Sequence, residues 1–136
     1  MTDVSGMVDG APRVWLRLEG ALLLLLAVSA YAALDGPWLW FGILFFAPDL
    51  SFAGYLAGPR AGAQVYNAAH SLAGPWLLAL AGVAGAGVWL LPAAALWAGH
   101  VGFDRMLGYG LKYPSAFVDT HLGRIGNAGR GGEVSR

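Results

Sequence analysis

The sequence predicts an all-α integral membrane protein, a four-helix bundle with up-down-up-down topology. The chain of 136 residues is 57% hydrophobic and 12% charged, and that charged share is about half that of ordinary soluble domains. Four apolar segments are each long enough to cross a bilayer, which takes roughly 20 residues. The connections between them are very short, so consecutive helices must run antiparallel.

Composition also excludes several classes of function. Eight basic and eight acidic residues give a net charge of zero, so the chain lacks the basic field that nucleic-acid binding requires. Because there is no cysteine, there is no disulfide framework, cysteine-ligated zinc or thiol nucleophile. We therefore expect membrane lipids and no nucleic acid as partners, with a hydrophobic small-molecule substrate and a homo-oligomer as further options.

The four predicted spans follow one another with little chain between them. They cover residues 14–34, 37–57, 62–82 and 86–108. Residues 1–13 are predicted to form an N-terminal cytoplasmic segment, and residues 14–123 the membrane domain. The composition then changes to glycine and polar residues, which predicts a disordered cytoplasmic tail over 124–136.

The basic residues predict the orientation of the bundle. Arg13 and Arg17 lie at the start of the first span, Arg60 follows the second, and the other five lie at or beyond the end of the fourth. Because cytoplasmic loops carry the excess of lysine and arginine, both termini are predicted in the cytoplasm, with the chain in the inner membrane. A rival interpretation is a secretory signal cleaved after Ala32. The mass of the purified protein's N-terminus distinguishes the two.

Five ionisable side chains lie within the predicted spans, where each costs about 2.5–3.5 kcal/mol to insert. They are Glu19 in the first span, Asp49 in the second, His70 in the third, and His100 with Asp104 in the fourth. At about 1.5 Å per residue, all lie roughly 6–13 Å from the cytoplasmic ends of their helices. Acids and imidazoles at one depth on four helices predict a shared functional layer.

Two local features shape this layer. His100 and Asp104 are spaced i,i+4, which puts both on one helix face. The carboxylate can therefore share a metal ion with the imidazole, or hold its other ring nitrogen and fix its tautomer. Pro48 removes a backbone donor within the second span, so we expect the helix to break there and direct Asp49 inward.

Each of these side chains also has a structural alternative. Asp104 could pair with Arg60, and Glu19 with a basic residue at the cytoplasmic rim. The two histidines of the spans could be hydrogen-bonded core imidazoles. His121 lies outside the spans and can be functional only if its segment folds back onto the bundle.

Several runs of the sequence resemble a small bacterial membrane family. They are Arg17-Leu18-Glu19-Gly20, Ala47-Pro48-Asp49-Leu50-Ser51, Gly54 to Arg60, Tyr66-Asn67, His70, and the stretch from His100 to Tyr113. Over residues 14–123 the chain resembles the family called domain of unknown function 4260. This resemblance implies a class of membrane protein and leaves the chemistry open.

A second resemblance implies a chemistry. Pro48-Asp49-Leu50, His70-Ser71-Leu72 and His100-x-x-x-Asp104 are similar to the signature of the LexA-regulated, membrane-bound metal-dependent hydrolases. This likeness implies that Asp49, His70, His100 and Asp104 bind a divalent metal ion. The ion would activate a water for attack on an ester or phosphoester of a lipid-like substrate. Either Glu19 or His121 would then complete the ligand set.

Three functions therefore compete. A metal-dependent hydrolase would use Glu19, Asp49, His100 and Asp104 as its catalytic groups. A metal-free isomerase or cyclase would use Asp49 or Glu19, kept protonated by burial, as a proton donor to a hydrophobic substrate. A non-enzymatic transport or assembly subunit would use the polar layer for ion passage or for contacts with partner helices.

Overall fold

A computed structural model describes residues 6–126, and this part of the chain is mostly helical. Its elements are α1 (Gly10–Ala33), α2 (Trp38–Leu44), a 3-10 helix (Ala47–Ala57), α3 (Pro59–His70), α4 (Ala73–Val83), α5 (Leu90–Leu107), β1 (Asp119–Thr120) and β2 (Gly123–Arg124). The two short strands pair antiparallel, with Thr120 opposite Gly123. The predicted helical character is confirmed, and the strand pair is a feature that the sequence does not predict.

Two helical segments are long and apolar enough to cross a membrane, Gly10–Ala33 and Trp38–Ala57. Both expose large apolar side chains, and α4 is shorter but has the same kind of surface. The side chains that are more than half exposed include Leu22, Leu25, Leu26, Leu39, Ile43, Leu50, Trp76, Leu77, Leu80 and Val83. Apolar faces of this extent are typical of helices that contact lipid.

The structure divides the predicted second and third spans into two helices each, and keeps the first and fourth as single helices. Residues 37–57 form α2 and the 3-10 helix, and residues 62–82 lie in α3 and α4. The break in the second span has the predicted cause, because Pro48 has no amide hydrogen to donate to Leu44, where α2 ends. The sequence does not predict the second break, where Ser71 adopts an extended conformation after α3.

Helices α1 and α5 pack closely because glycines let their backbones approach. A Cβ atom added at Gly102 of α5 would lie 2.7 Å from the amide nitrogen of Leu24 and 2.8 Å from the carbonyl oxygen of Gly20. A Cβ atom added at Gly20 would lie 2.6 Å from the Cβ atom of Arg105. These contacts fix α1 against the helix that carries the last two ionisable residues of the predicted layer.

Small residues also mediate the other helix contacts. The 3-10 helix packs on α3 at Gly54, where an added Cβ atom would lie 2.8 Å from the side chain of Val65. Helix α4 packs on α5 where Gly74 faces the indole ring of Trp97. The Nε1 atom of Trp97 donates a hydrogen bond of 2.6 Å to the carbonyl of Ala69, which ties α5 to the end of α3.

The chain after α5 folds back onto the bundle, and we call residues 109–126 the capping segment. Its strand pair is stabilised by Asp119, which accepts hydrogen bonds from the Ser115 hydroxyl at 2.7 Å and from Nε of Arg124 at 2.8 Å. These two bonds hold the pKa of Asp119 below its usual range. Of the predicted tail over 124–136, Arg124 lies in β2, and the residues from 127 onward lie outside the described residues.

Candidate metal centre

Helix α5 places His100 and Asp104 one turn apart on the same face, as their spacing predicts. The Nε2 atom of His100 lies 3.6 Å from Oδ2 of Asp104. The helix ends one turn later at Gly108, whose φ of 90° is a left-handed conformation that favours glycine. Both side chains therefore lie near the end of α5, beside the capping segment.

The break in the second predicted span brings Asp49 to these two residues. The chain resumes after α2 as a 3-10 helix, which has Pro48 and Asp49 in its first turn. The Oδ1 atom of Asp49 lies 3.3 Å from Nε2 of His100. Asp49 therefore points into the bundle, as the proline predicts, and the irregular backbone lies beside a polar site, where membrane proteins tolerate it.

His70 is the last residue of α3, and its tautomer is set by the backbone. Its Nδ1 atom lies 2.9 Å from the carbonyl oxygen of Tyr66, which can only accept, so Nδ1 carries the proton. The ring of Tyr66 stacks on the imidazole with the centroids 3.7 Å apart. In the neutral ring, Nε2 is then unprotonated and has a free lone pair. This atom lies 3.1 Å from Oδ1 of Asp49.

Four side chains thus contribute one atom each to a compact group, which we call the Asp/His cluster. The atoms are Oδ1 of Asp49, Nε2 of His70, Nε2 of His100 and Oδ2 of Asp104, all within 4.8 Å of one another. Five of the six distances among them lie between 3.1 and 3.6 Å. Ligand atoms around a tetrahedral ion, bound at about 2.0–2.1 Å, are separated by roughly 3.3–3.4 Å.

The chemistry of these four atoms also fits a cation. Carboxylate oxygens and imidazole lone pairs are all acceptors, and at these distances they repel unless a proton or a cation lies among them. A proton on one nitrogen satisfies one or two of the five close contacts, whereas a central cation satisfies all of them. The residues therefore fit a small divalent ion that accepts nitrogen and oxygen ligands.

The burial of the cluster is uneven. The exposed fraction of the side chain is 0% for His100, 3% for His70 and 12% for Asp104, but 34% for Asp49. The rings of Phe45 and Phe46 contact the His100 imidazole at centroid distances of 5.5 and 6.0 Å. The cluster therefore opens to its surroundings beside Asp49.

Neighbouring groups orient the ligands. The Tyr66 hydroxyl donates to Oδ2 of Asp104 at 3.4 Å, and the Arg105 guanidinium donates to the backbone carbonyl of His70 at 3.5 Å. Tyr66 thus contacts two of the four cluster residues, His70 through its carbonyl oxygen and Asp104 through its hydroxyl group. Partners of this kind fix ring orientation and ligand basicity in metal sites.

The capping segment reaches the cluster through Lys112. Asn67 binds the backbone of Lys112 on both sides, accepting from its N–H at 2.6 Å and donating to its carbonyl at 2.9 Å. The Lys112 ammonium donates to the carbonyl of Phe117 at 2.7 Å and lies 4.7 Å from the ring centroid of Tyr66. Burial lowers the pKa of Lys112 to about 8. In the sequence, Lys112 is one of the basic residues that predict the orientation and lies in the stretch from His100 to Tyr113, but its position there does not predict contact with the site.

Two other sequence-predicted site residues lie away from the cluster. Glu19 is exposed on α1 and is not among the grouped ligand atoms. The segment of His121 does fold back, but Nδ1 of His121 accepts a hydrogen bond of 2.8 Å from the N–H of Leu111. Burial lowers the pKa of His121, which favours the neutral acceptor form. The structure also leaves Arg60 exposed and shows no ion pair between it and Asp104 among the described residues.

Comparison with known proteins gives one family. The sequence model of the family described as "Domain of unknown function (DUF4260)" matches residues 13–125, which include all four residues of the Asp/His cluster. No curated protein and no solved structure matches the chain.

Proposed function

The chain belongs to the domain of unknown function 4260 family, and we propose that it is a membrane-embedded, metal-dependent hydrolase that acts on an ester or phosphoester of a lipid-like substrate. The observation that carries the proposal is the Asp/His cluster. Its five short distances between acceptor atoms match the separations around a tetrahedral divalent ion.

The donor set favours an ion of intermediate hardness. Two imidazoles suit zinc or iron, and two carboxylates suit harder ions such as manganese. When bound, such an ion polarises a carbonyl or phosphoryl oxygen and makes water a better nucleophile at neutral pH. Hydrolysis is the reaction class that uses these two effects together.

The protein's own residues have separate tasks in this proposal. His70 and His100 hold the site rigidly, because both imidazoles are almost completely buried. Asp49 is the ligand nearest the opening. Four protein ligands would leave a tetrahedral ion no position for water or substrate, so in this proposal the Asp49 carboxylate would leave the ion to open that position and would accept a proton there. The Tyr66 hydroxyl holds Oδ2 of Asp104, which keeps that carboxylate directed at the cluster.

We also propose that the chain crosses the inner membrane four times with both termini in the cytoplasm. The apolar exposed faces of α1, α2 and α4 support the membrane, and the eight basic residues on one side of the predicted bundle support the orientation. A reporter fused after Arg136 should then be active only as a cytoplasmic protein. Export of that reporter would contradict the orientation.

Metal content tests the proposed site. We expect about one equivalent of zinc, iron or manganese in protein purified in detergent from cells grown with these metals, and its loss in His100→Ala and Asp49→Ala. The control is Asp35→Asn, which removes an exposed carboxylate at a residue with φ of 54°, a conformation that asparagine tolerates. Absence of metal from folded wild-type protein, or retention of full metal by both cluster variants, would refute the metal centre.

Hydrolysis tests the reaction class. The loaded protein should cleave para-nitrophenyl octanoate or para-nitrophenyl phosphorylcholine, and a strong chelator should abolish the activity until metal is restored. Activity that survives complete removal of metal would instead favour the acid-catalysed alternative. Loaded protein that cleaves neither probe would contradict the hydrolase proposal and leave the metal site standing.

A further inference from the structure

We propose that substrate reaches the Asp/His cluster sideways from the bilayer, through the opening beside Asp49, and that the substrate is therefore amphiphilic. This inference rests on the proposed function and adds to it the route of entry and the class of substrate. The polar, reacting group would meet Asp49, while the hydrocarbon part would stay against the apolar rim of the opening.

The rim of the opening is apolar. Asp49 is the one charged residue between 37 and 57. Its neighbours along the chain, Phe46 and Leu50, are 56% and 78% exposed. Phe103 of α5 contacts Phe46 at a centroid distance of 6.2 Å. A carboxylate surrounded by exposed phenylalanine and leucine suits a ligand with a polar group and an adjoining hydrocarbon chain.

The capping segment closes another side of the cluster. Phe117 packs on Phe52 and Tyr55 of the 3-10 helix at centroid distances of 5.5 and 5.3 Å. Lys112, which lies against Tyr66 of α3, is only 4% exposed. The capping segment thus bridges the 3-10 helix and α3, the two elements that carry Asp49 and His70, and covers the gap between them.

The side that faces α1 is closed by backbone packing. Helix α5 lies against α1 with glycine contacts that leave no room even for a methyl group at Gly102. An approach to the cluster from the α1 side would therefore require the two helices to separate. The exposed fraction of the side chain rises from 0% at His100 to 34% at Asp49, which agrees with an opening on the Asp49 side.

Carbodiimide labelling tests the route of entry, with the whole chain stripped of metal by a chelator and placed in phosphatidylcholine vesicles. Dicyclohexylcarbodiimide partitions into hydrocarbon, whereas the reagent 1-ethyl-3-(dimethylaminopropyl)carbodiimide stays in water. Peptide mapping by mass spectrometry then compares Asp49 with Asp9, an exposed residue just before α1. Asp49→Asn confirms the assignment of the adduct.

We expect Asp49 to react at least about tenfold faster with dicyclohexylcarbodiimide than with the water-soluble reagent, because the cyclohexyl groups concentrate dicyclohexylcarbodiimide in the bilayer. Asp9 should show the opposite preference. Reaction of Asp49 with the water-soluble reagent at the rate of Asp9, or with neither reagent, would overturn the lateral route. Zinc should protect Asp49 but not Asp9. Hydrophobic labelling without this protection would support the opening while contradicting the metal centre.

Discussion

The contact between α1 and α5 positions two of the four cluster residues, and it can be tested with a matched pair of glycine substitutions. In Gly102→Ala the new methyl group would lie 2.7 Å from the amide nitrogen of Leu24, about 0.7 Å short of an ordinary 3.4 Å contact. The opposing atoms are backbone, so they can yield only if the helices move apart. In Gly99→Ala, one turn away, the nearest atom is the Ala27 Cβ atom at 3.4 Å, and the methyl group fits.

The two substitutions should change the free energy of unfolding in opposite directions. Overpacking costs about 1–3 kcal/mol, and the higher helix preference of alanine returns about 1 kcal/mol of this, so we expect Gly102→Ala to lose up to about 2 kcal/mol. Gly99→Ala keeps the helix preference without the clash and should gain up to about 1 kcal/mol. Reversible unfolding of the purified protein in mixed detergent micelles measures both. Equal stability of the two variants, or a more stable Gly102→Ala, would refute the close backbone packing and with it the described position of α5.

Three further predictions concern the residues around the cluster. Asp104→Asn should abolish metal binding while leaving the helix content unchanged, since the ion-pair contacts of Asp104 in the described part of the chain are with His70 and His100 and not with a lysine or arginine. A large loss of stability with metal retained would make Asp104 structural instead. Burial lowers the pKa of Lys112 to about 8 from an ordinary 10.5. Between pH 8 and pH 10.5, Lys112 is therefore mostly protonated in the unfolded chain and mostly neutral in the folded chain. Stability should therefore rise with pH from about 8 to about 10.5, and a thermal unfolding series in which Lys112→Met shows the same rise would contradict this. Asn67→Leu leaves the buried N–H and carbonyl of Lys112 without their partner and should lower the free energy of unfolding by about 1–3 kcal/mol. We expect faster proteolysis of the capping segment in this variant, and unchanged proteolysis would count against the contact between Asn67 and Lys112.

Some of this structure follows directly from the sequence. The i,i+4 spacing places His100 and Asp104 on one face whatever the surroundings, because helix geometry alone determines it. The break before Asp49 is equally local, since Pro48 cannot donate a backbone hydrogen bond. The common depth of the polar residues predicted that Asp49 and His70 would join them, and the structure brings both to within 3.4 Å of His100.

Other features depend on tertiary packing and leave no local signal. Depth along a helix says nothing of the direction in which a side chain points, so Glu19 shares the predicted depth of the cluster but lies on an exposed face of α1. The break after His70 has no proline to predict it. The contact of Lys112 with Tyr66 depends on the fold of the capping segment. That fold includes the pairing of β1 with β2, which lies next to the glycine-rich, polar end of the chain. Hydrogen bonds to Asp119 stabilise the strand pair of that segment, and the composition of the sequence does not predict them.

X-ray absorption at the zinc edge, on protein loaded with one equivalent of zinc, is the most direct test of the proposed metal centre. The Asp/His cluster predicts a first shell of about four nitrogen and oxygen atoms at about 2.0–2.2 Å, with the outer-shell scattering of two imidazole rings. In His100→Ala the imidazole count should fall from two to one, and in Asp35→Asn it should stay at two. A first shell without imidazole in the wild-type protein, or an imidazole count that His100→Ala does not change, would contradict the assignment of this cluster as a metal centre.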